Sequence, residues 1–349
     1  MAVQTAVLGV TGYAGAELAR LLVRHPKLKG KTPVFAGRVD REDGIPLREI
    51  HPELADSHGT GSLRMQPFSW ELFENLGVEV LFLATPHELS REAVPQARKR
   101  GIRVIDLSGA WRLEESSNRA IYHFEDEGSV TALETQAEAV YGMPELHREK
   151  IHGAGLIANP GCYATSVILA LKPLLAAGLV DVEHGVIADS KSGVSGAGKA
   201  PVAKTHFMYA ADNLSTYGVF SHRHTGELLE QLGLDAGEIT FTPHLLPIPR
   251  GILSTIYVRF NEKMTQAAVE ACYAEFYKSS PMVRLYGSDL PQIQYSVRTN
   301  YSDIGVKVAA DGRRAVIVSC LDNLLKGAAG QAVQNLNVMM GWGEAEGLE

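Results

Sequence analysis

Residues 5 to 25 read TAVLGV, then TGYAG, then AELARLLVRH. This is an apolar run, a glycine-rich turn, and a run with apolar residues at helical spacing. That order restricts the fold. A strand that is apolar throughout needs cover on both faces, and a strand that passes directly into a helix returns by a right-handed crossover to a parallel neighbour. The alternation continues. TPVFAGR is a second strand and VEVLFLAT a third; SREAVPQARKRG reads as a helix, irregular at Pro95, with a glycine stop, and IRVIDLSG as a further strand.

After about residue 160 the texture changes. GILSTIYVRF, DIGVKVAA and RAVIVSCL alternate like strands of a half-buried sheet, with TQAAVEACYAEFYKS as a helix between them. The expected fold class is α/β: an N-terminal Rossmann-like parallel-sheet domain, then an α+β catalytic domain with a mainly antiparallel sheet and helices over one face. The closing DNLLKGAAGQAVQNLNVMMG has an aspartate cap and helical periodicity. We divide the chain into residues 1–160, 161–322 and a C-terminal helix in 323–349, with the first domain as that helix's candidate docking place. The chain has 349 residues, enough for two domains.

Hydrophobic residues make up 45% and charged residues 21%, a globular composition. The net charge of −7 comes from interspersed charges without a basic stripe, which argues against nucleic acid as a partner. Three cysteines without paired spacing argue for a reducing compartment. The start lacks the basic segment of a signal peptide, and no apolar stretch has the length to cross a bilayer. A cytoplasmic location without a membrane partner is expected.

Gly9, Gly12 and Gly15 form G-x-x-G-x-x-G, one residue longer in its first interval than the usual dinucleotide fingerprint. The physical need is still met. Backbone without Cβ approaches a pyrophosphate, and the helix start presents free N–H groups. Thr11, Tyr13 and Ala14 share this turn, and Thr85 and Pro86 end the third strand, so all are expected cofactor contacts. The second strand ends AGRVDRED, so Arg38 arrives before any carboxylate. An NAD site places an acid there for the ribose hydroxyl, whereas a guanidinium suits a 2′-phosphate. NADP is the expected cofactor.

ANPGCYATSVILALKPLL places Cys162 behind a tight turn, at the mouth of a helix. The helix dipole and free N–H groups there favour a thiolate nucleophile and can hold a developing oxyanion. Cys272 and Cys320 lie inside a helix and a strand and read as core filling. A thiolate beside a nicotinamide suggests that sulfur attacks an activated acyl carbon and that hydride converts the thioester, through a thiohemiacetal, to an aldehyde. Such chemistry needs a proton donor, and histidine is the usual one.

GVTGYAGAELARLL, FLATPHELS, DLSGAWRL, VYGMPE, NPGCYAT, SGVSGAG, HRHTGE, TPHLLPIPRGI and DNLLKGAAGQAVQNLNVMMG occur in that order. Together they closely resemble the N-acetyl-γ-glutamyl-phosphate reductase family of arginine biosynthesis, with aspartate-semialdehyde dehydrogenases as more distant relatives. The resemblance implies NADPH-dependent reduction of an acyl phosphate to a semialdehyde with release of phosphate. In it Cys162 matches the nucleophile, and His222 the acid–base histidine, with His224 as the competing choice. Glu227 would orient one of the two. Arg112 would receive the substrate phosphate, and Asn159 stands in the same block as the nucleophile as a substrate contact. Arg250 would meet a substrate carboxylate. Ser192 and Gly193, in SGVSGAG, would cradle cofactor or phosphate through backbone N–H groups, and Asn323 would lie near the nicotinamide carboxamide.

No metal is expected, because the two histidines lack a third ligand. A homo-oligomer, dimer or tetramer, is expected from a sheet with one face to cover. Ser166 and Trp111 depart from the family's usual small residue and phenylalanine, with altered pocket shape as the expected result. The aminoadipyl and aspartyl phosphate reductases share the chemistry, and HRHTGE favours the glutamyl or aminoadipyl branch. A non-catalytic NADP-binding regulator would need only the glycine turn.

Overall fold

The computed structural model describes residues 2–55 and 58–349. They fall into two units. One holds Met1–Arg112, Tyr122–Pro160 and Ala328–Glu349; the other holds Leu113–Ile121 and Gly161–Gly327. The segment 113–121, which precedes the division drawn at residue 160, therefore belongs with the second unit.

The first unit is built on eight strands: β1 (Thr5–Leu8), β2 (Val34–Gly37), β3 (Ile45–Pro46), β4 (Arg64–Pro67), β5 (Val80–Leu83), β6 (Arg103–Asp106), β7 (Ala139–Tyr141) and β8 (Leu156–Ala158). Their order is β3-β4-β2-β1-β5-β6-β8-β7, and every pairing is parallel except β3 with β4. All residues of β1 and β5 are buried, which explains their unbroken apolar runs. Helix α1 (Tyr13–Arg24) follows β1 and buries Leu18, Ala19 and Leu22. The chain passes from β1 to β2 on one side and later to β5 on the other, so the glycine turn sits where the strand order reverses, at the carboxyl ends of the strands. Helix α2 (His87–Lys99) begins before the expected Ser90 and continues through Pro95, because Ala93, Val94 and Ala97 hold it on the core despite the lost hydrogen bond. Strands β3, β4, β7 and β8 escape sequence reading; two to four residues carry no measurable alternation.

The second unit carries β9 (Val186–Gly193), β10 (Ser215–Thr216), β11 (Ile239–Leu246), β12 (Ile252–Arg259), β13 (Val283–Leu285), β14 (Ser302–Val308) and β15 (Arg314–Leu321). The order is β10-β11-β9-β12-β15-β14-β13; β9 with β11 and β13 with β14 are parallel, and the other pairs antiparallel. Helix α3 (Cys162–Ala176) is buried almost all round and lies on β12 and β15. It is flanked by α4 (Thr225–Leu232) and α5 (Gln266–Phe276). From α5 and the residue after it, Tyr273 and Tyr277 donate their hydroxyls to the carbonyls of Ala170 and Leu169 at 2.6 and 2.5 Å.

Ser166 points from α3 into the sheet, where its hydroxyl donates to Ser254 at 2.8 Å and Ser319 at 3.1 Å. Trp111 is buried in the first unit with its Nε1–H on Ser90 Oγ at 3.1 Å. The expectation that these two residues reshape the pocket is therefore corrected: both are internal packing positions. Cys320 is fully buried and its thiol is pushed up to about 12 by burial, while Cys272 is half-buried with its Sγ toward Pro173 O.

Asp322 Oδ1 accepts N–H bonds from Leu324 and Leu325. A π-helical turn, Leu325–Ala329, then precedes α6 (Gly330–Met339). Every residue of α6 is buried. Its side-chain amide nitrogens are partnered: Asn335 Nδ2, for one, donates to Gly142 O at 2.7 Å and to Asn159 Oδ1 at 3.0 Å. Among the described residues no helix is long and apolar enough to cross a membrane.

Candidate active site

Gly161 caps α3 in an extended conformation and Cys162 is the first helical residue. The Gly161 N–H donates to Glu227 Oε2 at 2.9 Å. Glycine is needed here for close approach, since a Cβ on Gly161 would fall 2.4 Å from His224 Nε2. Gly327 meets Cys162 in the same way, with its notional Cβ 2.7 Å from the cysteine Cβ. The half-buried Cys162 opens onto a cavity of about 490 Å³ in the second unit, lined also by Ser192, Lys204, Tyr217, His222, Arg223 and His224.

The two histidines occupy different surroundings. His224 is buried against Gly161, with Nε2 4.0 Å from Glu227 Oε1. Glu227, fully buried, thus holds the turn that carries Cys162 with one oxygen and faces the histidine with the other. His222 sits among rings: His224 at 4.7 Å, and Tyr163, Tyr217 and Phe241 each at 5.5 Å between centroids. Its Nδ1 accepts the His224 backbone N–H at 3.1 Å, so the neutral ring carries its hydrogen on Nε2. Burial, and then the nearby Arg223, lower its pKa to about 4.

In the first unit, a Cβ on Gly9 would lie 2.3 Å from Ala84 O, and one on Gly15 2.4 Å from Gly9 O, so both are packing glycines. Gly12 differs: a Cβ there would meet nothing nearer than Gly9 O at 3.8 Å. The turn is open over Gly12, the place a pyrophosphate would approach. Thr85 stands beside Gly9, its Oγ1 buried and without a hydrogen-bond partner among the described residues. This cradle and this orphaned hydroxyl fit a dinucleotide. Arg38 is exposed just past β2 with no ion-pair partner among the described residues.

The remaining expected contacts have internal partners. Arg112 is buried and donates to the carbonyls of Asn159 at 2.8 Å and Leu107 at 2.7 Å. Asn159 also donates its Nδ2–H to Ala328 O at 3.1 Å. Arg250 pairs with the buried Asp322 at 3.0 Å. Asn323 bridges Gly251 N–H and Ser195 Oγ at 2.8 and 2.9 Å. Gly193 packs on the backbone of 248–250, and Ser192 Oγ donates to Gly193 O. Among the described residues no cluster of three or more His, Cys, Asp or Glu is placed to hold a metal.

Residues 4–154 match the semialdehyde dehydrogenase NAD binding domain, and residues 162–323 the semialdehyde dehydrogenase dimerisation domain. The N-acetyl-gamma-glutamyl-phosphate reductase of Pelotomaculum thermopropionicum is 41% identical, covering 100% of this chain and 98% of its own. That of Desulfotalea psychrophila is 43% identical, covering 99% and 98%. The chain belongs to the N-acetyl-gamma-glutamyl-phosphate reductase family. Aspartate semialdehyde dehydrogenase II from Vibrio cholerae shares the fold, with a TM-score of 0.70 at 18% identity over 97% of this chain and 98% of that one. The protein is thus an oxidoreductase of the semialdehyde dehydrogenase type with an NAD-binding domain.

Two cations of this family member's cavity, Lys204 and Arg223, escaped sequence reading, as did Tyr217. Arg223 lies inside HRHTGE, where the histidines drew attention; Lys204 stands in KAPVAKTHFMYA, a mixed stretch that matches no motif. The close approach of Gly161 to His224 supplies a first prediction. Gly161→Ala, unstrained at its φ of −73°, is expected to push the imidazole aside and lower kcat by at least about tenfold, since small misplacements of reacting groups are costly. Unchanged kcat in a steady-state assay would show that this packing does not matter.

Proposed function

We propose that this enzyme reduces N-acetylglutamyl 5-phosphate to N-acetylglutamate 5-semialdehyde with release of phosphate, as the arginine pathway requires, using NADPH. The observation that carries the reading is the juxtaposition of Cys162, Glu227 and His224 around Gly161 in a cavity that also holds Lys204 and Arg223. The two cations suit a substrate bearing a phosphate and a carboxylate.

The Cys162 thiolate forms a bond to the acyl carbon, the bond from that carbon to the phosphate oxygen breaks, and phosphate departs with the electron pair. A thioester remains on Cys162. The Gly9–Gly15 turn, with Thr85 and Pro86 beside it, would hold NADPH, and Arg38 would meet its 2′-phosphate; the cofactor, when bound, would supply the hydride that takes the thioester to a thiohemiacetal. We assign to His224 the proton traffic at the substrate oxygen: it donates as negative charge grows there and takes the proton back as the C–S bond breaks to release aldehyde and thiolate. His222 is the poorer candidate, because burial and the nearby Arg223 disfavour its charged form, and the neutral ring left at neutral pH is a far weaker acid than an imidazolium. Arg112 acts through the turn whose carbonyl it holds, as a positioning residue. Ser192 and Gly193 form part of the cavity wall, and Arg250 and Asn323 act as positioning residues through Asp322, Gly251 and Ser195. The dimerisation-domain match supports a homo-oligomer, dimer or tetramer, and a biosynthetic reductase of this kind works in the cytoplasm on a small-molecule substrate.

The substrate assignment is tested in reverse, by phosphate-dependent reduction of NADP with N-acetylglutamate, aminoadipate and aspartate semialdehydes. The N-acetylglutamate compound is expected to give the highest kcat/KM; a preference for either of the others overturns the assignment. Cofactor choice is tested by Arg38→Ala. NADPH affinity is expected to fall about tenfold, the value of one charge-assisted contact near the surface, while NADH affinity holds. Equal losses for both cofactors would give Arg38 a purely structural role.

A further inference from the structure

A buried histidine stands behind the glycine turn of the first unit. His51 is 2% exposed and ends the helical turn Leu47–Ile50, its N–H donating to Leu47 O at 2.7 Å. Its Nε2 lies 2.7 Å from the carbonyl oxygen of Val10, the residue directly after Gly9. A carbonyl only accepts, so Nε2 carries the hydrogen. Nδ1 faces Glu53, 3.5 Å from Oε1. Val10 is fully buried, and His51 is the one donor to its carbonyl among the described residues.

The peptide unit from Val10 to Thr11 is planar and trans, so its N–H points opposite to its C=O. The bond from His51 therefore fixes that plane and turns the Thr11 N–H away from the core. Thr11 is exposed, and its N–H has no acceptor among the described residues. It emerges next to Gly12, where the surface is open. We infer that His51 is a positioning residue for the cofactor: by holding the Val10 carbonyl from behind, it aims the Thr11 N–H at the pyrophosphate oxygens. The inference rests on the reading of the glycine turn as the pyrophosphate cradle and adds a residue outside that motif to it. A free turn swings its peptide planes, and a donor fixed before the ligand arrives binds it without that ordering cost.

The test compares His51→Phe, His51→Gln and His51→Asn. Phenylalanine fills the space without a donor. Glutamine carries its amide nitrogen about as far from the backbone as imidazole Nε2, whereas asparagine falls short of Val10. Calorimetric affinities are measured for NADPH and for 2′-AMP, which keeps the 2′-phosphate and lacks the pyrophosphate, with thermal unfolding alongside. NADPH affinity is expected to fall about tenfold or more in the phenylalanine and asparagine variants, the cost of one misdirected donor to an anion. It is expected to return to within about threefold in the glutamine variant, by the same bond restored. Affinity for 2′-AMP is expected to stay level in all three. Should His51→Phe fail to fold, the glutamine–asparagine pair carries the same comparison. Equal losses for NADPH and 2′-AMP, or no rescue by glutamine, overturn the role. Gly12→Val separates the two ideas: if it abolishes NADPH binding while His51→Phe leaves it intact, only the role of His51 falls, and if it leaves NADPH binding intact, the cradle falls with it.

Discussion

Cys162→Ser is expected to lower turnover by roughly 10³-fold or more while leaving NADPH affinity unchanged, since loss of a covalent nucleophile adds several kcal/mol to the barrier. Serine keeps the size of the side chain, so the tight contact with Gly327 and the neighbouring turn at Gly161 survive. What changes is the nucleophile. A hydroxyl at a helix N-terminus stays protonated at neutral pH, and it gains none of the reactivity that the same position confers on a thiol. The glycine turn proposed to bind the dinucleotide is built from other residues and is untouched. Steady-state rates and an NADPH titration on one preparation decide the matter. Activity within about tenfold of the parent would remove Cys162 from the nucleophile's role, because no hydroxyl could sustain it.

His224→Asn is expected to lower kcat by ~10²–10⁴, the usual worth of general acid–base catalysis. His222→Asn should cost far less and act mainly on KM, through the aromatic wall of the cavity. The two variants also part in their pH behaviour. The folded His222 titrates near 4, below the ordinary value of 6.5, because burial disfavours its charged form. Between those values the unfolded chain binds a proton that the folded ring refuses, so stability falls as the pH drops through this window and is complete above it. The slope from this single group approaches about 1.4 kcal/mol per pH unit. His222→Asn is expected to flatten that part of the acid limb in thermal melts taken from pH 7 to 4.5, and His224→Asn to leave it in place. If His222→Asn instead loses kcat and His224→Asn retains it, the two roles must be exchanged.

The parallel-sheet unit was legible because its signals are local. The run from Thr5 to Arg24 contains a strand, its turn and its helix in unbroken order, and Cys162 announces itself by the Asn-Pro-Gly that precedes it. What stayed hidden depends on contacts distant in sequence. His222 and His224 are two residues apart, and nothing local says that the second packs on Gly161 while the first is enclosed by Tyr163, Tyr217 and Phe241. The family resemblance gives Arg112 as the phosphate ligand; that its guanidinium holds the Asn159 and Leu107 carbonyls is visible only in the fold. Ser166 reads as a change at the pocket and proves to be part of a buried hydroxyl cluster with Ser190, Ser254 and Ser319, from three different strands. The same holds for His51, which no motif marks. The placement of residues 113–121 with the second unit has no composition signal at all.

The central claim is that the acyl group passes through a thioester on Cys162. The most direct measurement is peptide mass spectrometry of enzyme quenched in acid after mixing with N-acetylglutamate semialdehyde and NADP, without phosphate. The account predicts an N-acetylglutamyl adduct on the peptide that contains Cys162, formed with the release of NADPH and discharged when phosphate is added. Full turnover with no acyl group on Cys162 at any time, or an adduct that phosphate leaves in place, would contradict it.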